Sequence, residues 1–181
     1  INEDYGYVSK IEHCQFIEGV FEALTLAQQQ GYQLIIVTNQ SGIGTNKYTQ
    51  QDYDQLTQWI LLQLKLSNIF IRQVYHCPHH PQAVLEKYRL ECECRKPQPG
   101  MLLKAAKEHD IDLANSFMIG DKTSDILAGK KAGCRTILVK TGYGGTDNLC
   151  QVTPDLFKEN LLEAVKFIII NDLNGVNNLG F

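Results

Sequence analysis

Apolar residues along this chain change period several times, and each change marks an element. Between residues 16 and 30, Ile17, Val20, Phe21, Leu24 and Ala27 recur at the spacing of one helical face, and Gly31 ends the run. Gln33-Leu34-Ile35-Ile36-Val37 is a short β-rich run that stops at Thr38-Asn39-Gln40-Ser41-Gly42, which predicts a buried strand with a loop at its carboxyl end. Thr49 stands three residues ahead of Asp52, a capping-box spacing, and Tyr53, Leu56, Ile60 and Leu64 share one face of the helix that follows. Strand character returns from Phe70 to Tyr75. Beyond it, helices are expected over about 99–109, 124–131 (capped by Gly133) and 159–170, and strands at 117–119 and 136–139.

Strand and helix alternate four times, the signature of an α/β protein with a Rossmann-like parallel sheet and helices on both faces. Ligands of such sheets bind outside the carboxyl ends of the strands, so the residues that follow the apolar runs are the candidates for function. A length of 181 residues fits one domain, expected over 1–170. Residues 77–94 form an excursion rich in Pro, His and Cys, and the Asn- and Gly-rich segment 171–181 is expected to be poorly ordered. The net charge of −3 argues against non-specific nucleic-acid binding. No apolar run approaches the roughly 18 residues of a bilayer span, and the first residues lack the basic start and apolar stretch of a secretory signal. A cytoplasmic monomer is expected, with neither nucleic acid nor membrane as partner.

Three of the six cysteines crowd into the excursion. Cys77-Pro78-His79 and Cys92-Glu93-Cys94 together supply three thiolates and one imidazole, the donor set of a closed tetrahedral Zn²⁺ site. Closed coordination leaves no position for a reacting water, so the zinc is expected to be structural. His76 and His80 flank the first pair and compete with His79 as ligand. Arg95-Lys96-Pro97 follows at once, two cations able to meet an anion over the strand ends. Thr38-Asn39 and Gly120-Asp121-Lys122 each follow a strand, with Asp125 one helical turn beyond Asp121. A carboxylate at 121 suits either Mg²⁺ or a helix cap.

Thr38-Asn39 after a strand, a Lys ahead of a later helix and Gly120-Asp121-Lys122 together resemble the haloacid-dehalogenase-like (HAD-like) phosphatases. Within them, residues 1–8, 37–42, 77–81 and 94–103 are similar to the zinc-containing D-glycero-D-manno-heptose 1,7-bisphosphate 7-phosphatases. That resemblance implies a HAD-like fold and a phosphorylated sugar as the small-molecule partner. The implied reaction is Mg²⁺-dependent removal of the C7 phosphate, in the supply of ADP-heptose for lipopolysaccharide. It further implies that Thr38 holds the transferring phosphoryl group, with Asn39, Gln40 and Ser41 completing the substrate loop. Lys96 stabilises phosphoryl charge, Arg95 selects the bisphosphate, Lys122 binds substrate and Asp121 ligates Mg²⁺, while Asp4, Tyr5, Gly6 and Tyr7 match a further substrate-contacting stretch. The family's nucleophile and acid/base lie in an Asp-x-Asp-Gly-Thr motif at the end of the first strand, and that strand is expected upstream of Ile1. Asp52-Tyr53-Asp54 and Asp110-Ile111-Asp112 share the spacing without following an apolar strand. Histidinol-phosphate phosphatase is the alternative enzyme, and an inactive zinc-stabilised binding domain is the alternative from another class.

Overall fold

A computed structural model describes residues 1–3 and 6–176. Helix α1 is Val20–Gln29, shorter than its apolar stripe because Gly19, at φ 79°, is its cap, and Phe16 ahead of it pairs with Asn2 instead. The Phe16 ring packs on Phe21 and Trp59. β1 (Leu34–Asn39) leads into the single turn α2 (Ser41–Gly44) and then α3 (Gln50–Leu66). Thr49 caps α3 as expected: its hydroxyl accepts from the Asp52 amide while the Asp52 carboxylate accepts from the Thr49 amide. β2 (Ile71–Cys77), the excursion and α4 (Gly100–His109) follow. β3 (Phe117–Gly120), α5 (Thr123–Ala132), β4 (Arg135–Val139), β5 (Leu156–Lys158) and α6 (Leu161–Val176) complete the order.

Every ladder is parallel, and the helices cover both faces. α1 and α6 pack on each other on one side, burying Val20, Ala23 and Val165, and α4 and α5 cover the other. The single sheet expected from the alternation is two sheets, β1–β2 and β3–β4–β5. Among the described residues no strand pairs with the facing edges of β1 and β3. A cavity of about 910 Å³ runs between them, lined by Leu34 to Asn39 on one side and Phe117 to Gly120 on the other.

Two further departures have local causes. β5 has three residues and pairs only with β4, too short a run to stand out by period. The last helix, expected to end near 170, continues as α6 to Val176, with the Asn171 amide donating to the Phe167 carbonyl and Tyr32 hydrogen-bonding Asp172. Residues 177–181 lie outside the described residues.

Candidate active site and metal centre

β2 ends on Cys77, and the excursion it opens returns Cys92 and Cys94 to it. The Sγ atoms of Cys77, Cys92 and Cys94 and Nδ1 of His79 stand 3.1 to 3.6 Å apart on all six edges. Those edges describe a tetrahedron whose centre is about 2 Å from each donor, the length of a transition-metal bond to nitrogen or sulfur. The four residues form a group able to hold a metal ion. Burial pushes the Cys77 and Cys94 thiols above their ordinary value, so a bound cation must displace their protons. The competing histidines are elsewhere: His76 Nε2 meets Gln50 with its ring on Tyr53, and His80 Nδ1 accepts from the Gln82 amide. The other three cysteines are free thiols, Cys14 and Cys134 buried and Cys150 half-buried.

Two residues past Cys94, Lys96 is buried between the two sheets. Its ammonium donates to the Val37 carbonyl at 2.7 Å and pairs with Asp125 Oδ1 at 2.7 Å. Both side chains are under a tenth exposed, and a charge so placed is tolerable only because a counter-charge and a carbonyl face it. Asp125 has a second task, its Oδ2 accepting the Lys122 amide at 3.1 Å at the start of α5. The contact also brings together the carboxyl ends of β1 and β3, one at Val37 and the other one turn before Asp125.

Thr38, Asn39, Gln40, Ser41, Lys96, Asp121 and Lys122 all line the cavity at this mouth, as do Gly6 and Tyr7. Gln40 donates to Thr38 Oγ1 at 3.0 Å while its carbonyl oxygen accepts from the Tyr48 hydroxyl. Asp121 Oδ2 accepts the Tyr143 amide at 2.9 Å, and the Lys122 ammonium lies 4.1 Å above the Tyr143 ring. Gly142, at φ 75°, presses against that carboxylate so closely that a Cβ would collide with Asp121 Oδ2. The site thus presents two ammonium groups, a hydroxyl and a fixed carboxylate to one space. That combination takes a phosphate and a divalent cation together.

Arg95 is placed differently from its neighbour: its guanidinium donates to the His79 carbonyl at 3.1 Å, and it is not among the cavity-lining residues. Asp4 and Tyr5 lie outside the described residues. Of the two decoy pairs, Asp52 serves the Thr49 cap and Asp54 accepts from Gln50. Asp110 is the left-handed cap of α4, and Asp112 caps the short turn before β3, at the amino end of the strand and away from the mouth. The functional partner that sequence reading left without a role is Asp125. Its signal was there, a second carboxylate four residues beyond Asp121, on the face of α5 that turns toward the strand ends.

A parallel α/β fold with Thr38, Lys96 and Asp121 converging at the strand ends defines a HAD-like hydrolase, and the HAD-hydrolase-like family profile matches residues 93–164. The D-glycero-β-D-manno-heptose-1,7-bisphosphate 7-phosphatase of Photorhabdus laumondii is 48% identical over 143 residues, 78% of this chain and 76% of that protein. The protein of the same name from Pasteurella multocida is 48% identical over 149 residues, covering 82% and 80%. The crystal structure of D,D-heptose 1,7-bisphosphate phosphatase from B. bronchiseptica, complexed with magnesium and phosphate, matches with TM-score 0.83 at 25% identity. It covers 94% of this chain and 93% of that one. The chain belongs to the D-glycero-β-D-manno-heptose-1,7-bisphosphate 7-phosphatase family.

Proposed function

We propose that this protein is a Mg²⁺-dependent phosphatase that removes the C7 phosphate of D-glycero-D-manno-heptose 1,7-bisphosphate, a step toward ADP-heptose for lipopolysaccharide. The observation that carries the reading is the buried Lys96, held by Asp125 and Val37 with Thr38, Asp121 and Lys122 around the same cavity. Phosphoryl transfer is mostly positioning and neutralisation of oxygen charge, and these groups supply both. Thr38 donates its hydroxyl proton to a phosphoryl oxygen, since Gln40 already occupies an acceptor position on Oγ1. Lys96 and Lys122 neutralise the developing charge, Ser41 completes the loop, and Gly6 and Tyr7 border the sugar. Arg95 selects the bisphosphate from beside the His79 carbonyl that its guanidinium holds.

Asp121 would hold Mg²⁺: its carboxylate is fixed by the Tyr143 amide and borders the cavity, as an oxygen ligand for a hard cation must. That ion, when bound, supplies charge neutralisation to the phosphoryl oxygens. Cys77, His79, Cys92 and Cys94 would hold Zn²⁺, whose closed coordination has a structural role. Among the described residues no helix is long and apolar enough to cross a membrane.

The test is phosphate release from the 1,7-bisphosphate by the purified protein, with ³¹P NMR identifying the carbon that loses phosphate. Mg²⁺-dependent loss at C7, abolished in Asp121→Asn, is the expected result. Preferential hydrolysis of histidinol phosphate would overturn the substrate, and full activity of Asp121→Asn would overturn the Mg²⁺ ligand.

A further inference from the structure

Lys96 is held at its backbone as well as at its ammonium, and the backbone clamp is a single side chain. Asn39 Oδ1 accepts the Lys96 amide at 3.0 Å, and Asn39 Nδ2 donates to the Lys96 carbonyl at 2.9 Å. Both halves of one carboxamide are therefore spent on the two polar groups of one residue, as a strand would pair with it. The orientation of the amide admits no flip, because the reverse would set N–H against N–H and oxygen against oxygen.

The position of Asn39 is itself fixed. It is the last residue of β1, in register with Cys77, and the next amide, that of Gln40, donates to the Cys77 carbonyl at 2.7 Å. Val37, whose carbonyl takes the Lys96 ammonium, lies two residues earlier on the same strand. Strand β1 thus references both ends of Lys96, and the remaining ammonium direction, with Val37 and Asp125 occupying two, points where they leave room.

We propose that Asn39 is a positioning residue that holds the Lys96 backbone so that its ammonium meets the phosphoryl group, rather than a group that contacts substrate. This deepens, and rests on, the phosphatase reading of the same site. A direct substrate contact by its carboxamide would require Asn39 to give up its bonds to Lys96.

The experiment is a double-mutant cycle joined to an amide-exchange measurement on the full chain. Asn39→Ala is expected to lower kcat about tenfold, the order of effect of lost positioning hydrogen bonds, with KM changed less than about twofold. Asn39→Asp, equal in size but presenting an oxygen to the Lys96 carbonyl, is expected to fall as far. In a Lys96→Met background, replacing Asn39 should cost nothing more. Additive losses, or a rise in KM with kcat unchanged, would overturn the positioning role in favour of direct contact. Exchange of the Lys96 amide, followed by NMR, needs no turnover: it should be protected in the wild type and fast in Asn39→Ala. Equal exchange in both would overturn the clamp. Failure of the substrate assignment shows separately, as a wild type that does not hydrolyse the bisphosphate while the exchange result stands.

Discussion

The two half-sheets of this molecule are held by different physics. In β3–β4–β5 the stabilisation is apolar: Thr136 to Val139 of β4 are all buried, Ile137 completely, against Ala164 and Ile168 of α6. In β1–β2, by contrast, Tyr75, Met101 and Ala105 form an apolar cluster but every residue of β1 is only half-buried, and the chain beyond Cys77 forms an excursion with Ala83 as its one buried side chain between the candidate metal ligands. That excursion is secured by polar contacts, with Arg89 reaching the Ala83 and Val84 carbonyls, and by four side chains able to hold a metal ion that converge on one point. The proposed catalytic groups come from both halves, Thr38 and Lys96 from one and Asp121 from the other, which also supplies Asp125 as the counter-charge of Lys96. A ligand-held half therefore shares a site with a core-held half, and the two should fail under different insults.

The largest effect should come from Cys92→Ala. Metal content measured by mass spectrometry should fall from about one per chain to near zero. Structural metal sites contribute folding free energy outright, so the melting temperature should drop by about 10 °C or more, with amide protection lost around β1–β2 before β4. Metal retained in the variant would remove Cys92 from the ligand set. Next, Ile137→Ala leaves a cavity in the apolar half and should cost about 3 kcal/mol, read as a denaturant midpoint shift, while metal content stays at one per chain. Loss of metal there would erase the distinction between the halves.

The smallest effect belongs to Asp155, which staples the start of β4. The Thr136 hydroxyl, then the Lys130 ammonium, holds its carboxyl down at about 2, against 3.8 for the unperturbed group. A carboxyl lowered in the folded state stabilises fully above its unfolded pKa, and the contribution is lost as pH falls from about 4 toward 2. Asp155→Asn should therefore differ from wild type by about 1 kcal/mol or less near neutrality, the carboxylate being half-exposed, and the two melting temperatures should converge below pH 4. A gap that persists at pH 2.5 would contradict the assignment.

Much of this was legible in the residues themselves. The metal group was readable because coordination demands particular atoms at short separation, and two Cys-x-(Cys or His) pairs satisfy it locally. The Thr49 cap, the Gly133 cap and four of the strands followed from short-range pattern for the same reason. What sequence did not disclose depends on contacts between distant segments. Nothing local marks Asp125 as the counter-charge of Lys96, 29 residues before it, or Asn39 as the clamp of a residue 57 positions on. Arg95 and Lys96 read as two cations facing one anion, yet the fold sends one toward the His79 carbonyl and buries the other between the sheets. The division of the sheet was likewise beyond period alone, since periodicity shows that strands exist and not which edges they share.

Gly142 carries no chemistry, yet it fixes how Asp121 can vary. Its positive φ strains most side chains, and a Cβ there would push the carboxylate beside it out of place, so two independent penalties act on the same position. A library that randomises residue 142 under selection for activity should return glycine almost alone, although 142 neither titrates nor ligates. The carboxylate that would carry the cation thus depends on an empty volume 21 residues away, and mutational tolerance at the site is set partly by an atom that is not there.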